Sequence, residues 1–181
     1  MTNTNKIITA IVIIAVILIG VGYAGLSNIT LKVEGTATAD ANTDNFVVGF
    51  TGTPNTTVTQ AVPAVGVSAN ATATIDTNDS TKATINITNL TAKGDKVVAT
   101  YTVKNSSKDL AAKLTTSTTS TNTNYTVTSS LDKNYLKPDE MTTVTVTIVL
   151  NTTPITDQIS EAVGIKVDAK PIQQSEIPAQ Q

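Results

Sequence analysis

The chain contains no cysteine, no histidine, no arginine and no tryptophan. Without cysteine there is no disulfide framework, so a domain built from it must hold together through its own core and its hydrogen-bond ladders. Losing cysteine and histidine together removes most of the usual ligands for zinc, iron-sulfur clusters and haem. It also removes the Ser-His-Asp triad, the Cys-His pair and the HExxH metalloprotease helix. Twelve basic residues, all lysine and scattered singly, face 14 acidic ones for a net charge of -2. That is neither the clustered basic surface on which nucleic-acid binding rests nor a match for an anionic membrane. Aromatic residues make up 3% of the chain, too few for the stacking platforms of a sugar cleft. The acidic residues sit singly in apparent turns, as Asp132, Asp139 and Glu140 do, so paired-carboxylate chemistry has no evident cleft. No catalysis, no cofactor and no nucleic-acid partner are expected.

What is present begins at the N-terminus. Lys6 is followed by an uncharged, mostly apolar run from Ile7 to Leu26 that contains Gly22-Tyr23-Ala24-Gly25. A basic start, an apolar stretch and a small-x-small site are the parts of a secretory signal peptide. The expected cut follows Ala24, with Gly25 as the first residue of the mature chain. The alternative is an uncut membrane anchor, because 20 uncharged residues are long enough to span a bilayer. The small residues at the end of the run, with no basic cluster after it, favour cleavage. The domains then read as a leader over 1–24, an N-terminal strand over 25–40, a sandwich over 41–170 and a tail over 171–181. That tail, rich in Gln with Pro178, is expected to be disordered. The mature length, 181 minus 24 or 157 residues, suits one domain.

Beyond the leader, apolar residues recur at every second position. The pattern runs through Leu31, Val33, Gly35, Ala37 and Ala39, through Ala83, Ile85 and Ile87, through Val97, Ala99, Tyr101 and Val103, and through Val144, Val146, Ile148 and Leu150. It returns around Ala71–Ile75, Leu110–Leu114, Tyr125–Val127 and Val163–Ala169. A period of two marks a half-buried strand. Threonine fills most alternate places, and its β-branched hydroxyl side chain suits the wet face of a sheet. Turn chemistry separates these runs at Asp76–Ser80, Lys93-Gly94-Asp95, Asn105–Asp109 and Lys137-Pro138-Asp139-Glu140. The stretch 51–69, with Pro54, Pro63 and Gly66, reads as a long loop, and Ile155–Glu161 as at most a weak helical turn. The fold class is therefore all-β: a two-sheet antiparallel sandwich, jelly-roll or immunoglobulin-like, of about eight or nine strands, preceded by an apolar leader helix.

The order of these signals resembles a known family. It consists of the leader ending in Gly22-Tyr23-Ala24-Gly25, the first strand ITLKVEGTATAD, the segment NITNLTAKGDKVVATYTVKNSSKDLAAKL and the later LKPDEMTTVTVTIVLNTTPI. Together they are similar to the TasA and camelysin family of exported biofilm-matrix fibre proteins. In that family the block with Asn89, Leu90, Gly94 and Asp95 precedes a strand that ends at an Asn in the position of Asn105. The resemblance implies a jelly-roll-like sandwich, a dedicated signal peptidase and assembly into extracellular fibres. A metallopeptidase label attached to some members does not carry over to a chain with no histidine.

The N-terminal strand itself offers a route to assembly. A terminal strand with one apolar and one polar face can complete a neighbour's sheet, because main-chain bonds and side-chain pockets serve equally well between chains. Residues 25–40 are the candidate donor strand, with Ile29, Leu31, Val33, Ala37 and Ala39 as its interface positions. Head-to-tail contacts of this kind do not close and give filaments. The expected protein is a secreted subunit of a homo-polymer, open to an accessory or anchoring subunit, touching membrane only through an uncut leader. The alternative is a membrane-anchored immunoglobulin-like surface or adhesin module, in which the same strand pairs within its own domain.

Two further patterns stand out. Asp40, Asn42 and Asp44 have the alternate spacing that opens a calcium loop, but Asn45 stands where the Gly belongs and Thr51 where the bidentate Glu belongs. A plain Asx-rich turn accounts for them. Asn-x-Ser/Thr occurs at Asn28, Asn55, Asn70, Asn78, Asn86, Asn89, Asn105, Asn124 and Asn151. These sequons matter only in a cell with the transferase, and a threonine-rich chain generates some by chance.

Overall fold

Alternation becomes architecture most plainly in β5 (Lys96–Asn105) and β9 (Met141–Leu150), where buried and half-exposed residues follow one another along the whole strand. The computed structural model describes residues 29–37, 46–62, 68–119, 123–153 and 162–179. Among them are ten strands. Besides β5 and β9 these are β1 (Ile29–Ala37), β2 (Val48–Thr59), β3 (Asn70–Ile75), β4 (Lys82–Thr88), β6 (Ala111–Thr119), β7 (Tyr125–Leu131), β8 (Tyr135–Leu136) and β10 (Ala162–Ile172). Nine are six residues or longer and β8 has two, so the expected count is met. The expected leader helix and the segment Ile155–Glu161 lie outside the described residues.

The strands form two sheets, one in the order β3-β4-β1-β10-β6-β8 and the other in the order β2-β5-β9-β7. Between them lies a core of Ile85 and Ile87 from β4, Leu114 from β6, Ile165 and Val167 from β10, Tyr101 from β5 and Ile148 and Leu150 from β9. Burying each such aliphatic side chain stabilises the fold by about 1.5–3 kcal/mol. With no disulfide available, this burial and the ladders supply the stability.

The turns behave as their residues dictate. Lys137 O accepts from Glu140 N at 3.1 Å, with Pro138 inside the turn and Asp139 at φ 62°. Ala92 O likewise accepts from Asp95 N at 3.0 Å, with Gly94 at φ 94°. That left-handed φ is one that glycine adopts at little steric cost.

Two expectations are corrected. First, 51–59 is not loop. β2 continues to Thr59, because a register shift between Thr51 and Asn55, with Gly52 at φ 72°, absorbs Pro54 as an irregularity. β2 is an edge strand, where a proline without an N–H leaves no ladder position unfilled on the open side. Second, 171–179 is not disordered: Pro171 and Ile172 end β10 and Gln174–Glu176 forms a 3-10 turn. Glu176 reaches back to accept from Gln173 N at 2.7 Å, and Gln174 Nε2 donates to Asp109 O at 3.3 Å, which ties the tail down. The expected all-β antiparallel sandwich is what forms, and among the described residues its one parallel pairing is that of β1 with β10.

Candidate polymerisation site

β1 is an interior strand. On one side it pairs antiparallel with β4, so that Ile29, Leu31 and Val33 stand opposite Ile87, Ile85 and Ala83. On the other it pairs parallel with β10, where Leu31, Val33 and Ala37 stand opposite Val163, Ile165 and Ala169. Ala83, Ile85, Ile87, Ile165 and Ala169 are all buried. The register therefore aligns the expected interface positions of β1 with the core-facing rows of both neighbours. Taking β1 away splits the six-stranded sheet into β3-β4 and β10-β6-β8. The result is a slot one strand wide, with an unpaired backbone edge on each side.

What holds β3-β4 in place beside such a slot is the opposite sheet. Tyr101, buried in β5, donates its hydroxyl to Thr84 O on β4 at 3.2 Å. Burial pushes the pKa of this hydroxyl above its ordinary value, so it stays a donor. The Tyr101 ring packs on Phe50 of β2 with centroids 5.5 Å apart. Phe50 N donates to Ser80 O in the β3-β4 turn at 2.7 Å, and Thr56 Oγ1 donates to Ala71 O on β3 at 2.8 Å. These bonds run between sheets and do not pass through β1.

Two wholly buried polar residues brace the ends of the sandwich. The Asp95 carboxylate accepts from Ala61 N at 2.8 Å, Thr91 N at 2.8 Å and Ala92 N at 3.0 Å. It thereby joins the end of β2 to the β4-β5 loop. Asn105 Nδ2 donates to Leu110 O at 2.9 Å and Leu136 O at 3.1 Å, while Oδ1 accepts from Ser107 N at 3.1 Å. Its backbone closes on the β8-β9 turn through Glu140 O and Asp139 N. Buried polar groups survive in a core because they are satisfied in this way.

Of the residues singled out from the sequence, the structure brings Ile29, Leu31, Val33 and Ala37 together on β1. Ala39, the cleavage pair Ala24 and Gly25, and the calcium candidates Asp40, Asn42 and Asp44 lie outside the described residues. Among the described residues no three His, Cys, Asp or Glu side chains gather as a metal site. The Tyr101-Thr84 bridge was not anticipated. Its one sequence signal is a hydroxyl-bearing residue at an inward position of the Val97–Val103 alternation. No protein-family model matches the chain, and no curated protein matches it.

Proposed function

We propose that the protein is a secreted structural subunit that polymerises head-to-tail into extracellular fibres of the biofilm-matrix type, by donor-strand exchange of its N-terminal strand. The observation that carries this reading is the place of β1: an interior sheet position filled by the first of the described strands. The strand of one subunit enters the slot between β4 and β10 of the next and makes the same two ladders there. Because donor and slot are different surfaces, the contact does not close on itself and a filament grows. The resemblance to the TasA and camelysin family supports the same reading, with copies of the chain itself as the principal partner.

N-terminal mass analysis of the native extracellular protein, followed by electron microscopy of the concentrated sample, tests it. The expected result is a chain that starts at Gly25 and forms regular filaments. A chain that keeps Met1, stays in the membrane fraction and forms no filaments would replace this function with that of a tethered surface module.

A further inference from the structure

Nine of the thirteen asparagines after position 24 stand in Asn-x-Ser/Thr, none with proline in the middle. Serine and threonine are 47 of the 181 residues, so composition alone gives about 3 such sites. Strand alternation is not the source of the excess, because it would place Ser or Thr two residues before an asparagine as often as two residues after. They stand two residues before in five of the thirteen cases and one residue after in five. The enrichment belongs to the one position that an asparagine-linked glycan transferase reads.

The structure sorts eight of these nine asparagines, and Asn28 lies outside the described residues. Asn105 is wholly buried, with Nδ2 committed to two carbonyls. Asn89 Nδ2 donates to Ser68 O at 3.0 Å and Asn151 Nδ2 to Thr123 O at 2.8 Å. Asn124 Oδ1 accepts from Thr152 Oγ1 at 2.9 Å. Asn55, Asn70, Asn78 and Asn86, by contrast, are exposed, and so are the hydroxyl residues Thr57, Thr72 and Ser80 of the first three, with Thr88 half-buried. They also share one flank. Asn55 is on β2, Asn70 on β3, Asn78 in the β3-β4 turn and Asn86 on β4, and the Thr56-Ala71 and Phe50-Ser80 bonds join these elements.

We propose that the chain is an N-glycoprotein modified at Asn55, Asn70, Asn78 and Asn86, and that Asn105 stays bare. The donor is a saccharide activated on a lipid-linked phosphate. The bond between its anomeric carbon and the phosphate oxygen breaks, and the lipid phosphate leaves with the electron pair. Asn Nδ2 bonds to the anomeric carbon and gives up one proton. Sugars along β2 and β3 cover the two open strand edges of this flank and block lateral strand addition. The proposal rests on export, which brings the chain to such a transferase.

Intact-mass and peptide analysis of the protein from its native extracellular fraction tests it. The mass is expected to exceed that of the polypeptide, with sugar on the four peptides and none on the Asn105 peptide. Each of T57A, T72A, S80A and T88A, which keep the asparagine, is expected to lose the sugar mass from its own peptide only. An exported chain starting at Gly25 with the bare polypeptide mass would overturn this proposal and leave the fibre reading standing. Sugar on Asn105 of the folded protein would overturn the assignment of sites. A glycosylated chain that keeps Met1 in the membrane would uphold it and overturn the fibre reading.

Discussion

Closing the slot covalently separates exchange of β1 between subunits from pairing within one. The chain has no cysteine, so Lys32→Cys with Thr84→Cys adds a single thiol pair. Lys32 and Thr84 are directly opposed across the antiparallel β1-β4 ladder. Opposed Cα atoms there lie about 4.5 or 5.5 Å apart, within the roughly 4.4–6.8 Å that a disulfide spans. Formed within one chain, the bridge closes a loop of about 50 residues and stabilises the fold by about 4 kcal/mol through the entropy of the unfolded chain. For a domain of this size that raises the melting temperature by about 8–16 °C. Oxidation of the dilute monomer is expected to give this shift and to abolish filaments, with both effects reversed by reductant. Oxidation after assembly is expected to link position 32 of one subunit to position 84 of the next, giving a ladder of covalent multimers on a non-reducing gel. Fully oxidised intrachain monomers that still form filaments at wild-type yield would refute strand exchange.

Asn105→Ala strands Leu110 O, Leu136 O and Ser107 N. Each unsatisfied buried group costs about 1–3 kcal/mol, so a loss of about 3–9 kcal/mol is expected in urea unfolding. A loss under about 1 kcal/mol would mean that the cluster relaxes or takes up water. Asp79 is held down to a pKa of about 2 by the hydrogen bond from Lys82 and those from Thr81. Because the folded value is depressed, its contribution is complete above the unfolded carboxylate pKa near 4 and is lost as pH falls through about 2. Asp79→Asn is expected to flatten the urea midpoint between pH 4 and 2, and an unchanged acid profile would rule the contribution out.

Much of the fold was legible because the strand signal is local. Lys96–Asn105 and Met141–Leu150 alternate in sequence as they do in burial, and Pro138-Asp139 and Gly94 mark turns that the backbone adopts. Pro54 misled because a proline reads as a break unless the strand is known to lie at an edge, and edge position is a property of the sheet. The tail misled for a related reason: its Gln-rich composition says nothing of the Glu176-Gln173 and Gln174-Asp109 bonds that tie it to the sandwich.

The candidate site divides along the same line. By itself the sequence determined that residues 29–37 form a strand with alternating faces, since that needs only the period of the side chains and the pleat of the backbone. It also determined that no metal or disulfide chemistry based on histidine or cysteine is open to this chain. Only the tertiary structure decided that β1 lies between β4 and β10, parallel to the latter, and that Asp95 and Asn105 are buried pins and not solvated turn residues. Partner choice and burial depend on segments more than a hundred residues apart in the chain, as Thr30 and Ala162 are. Alternation specifies which face of a strand is apolar but not which strands it meets.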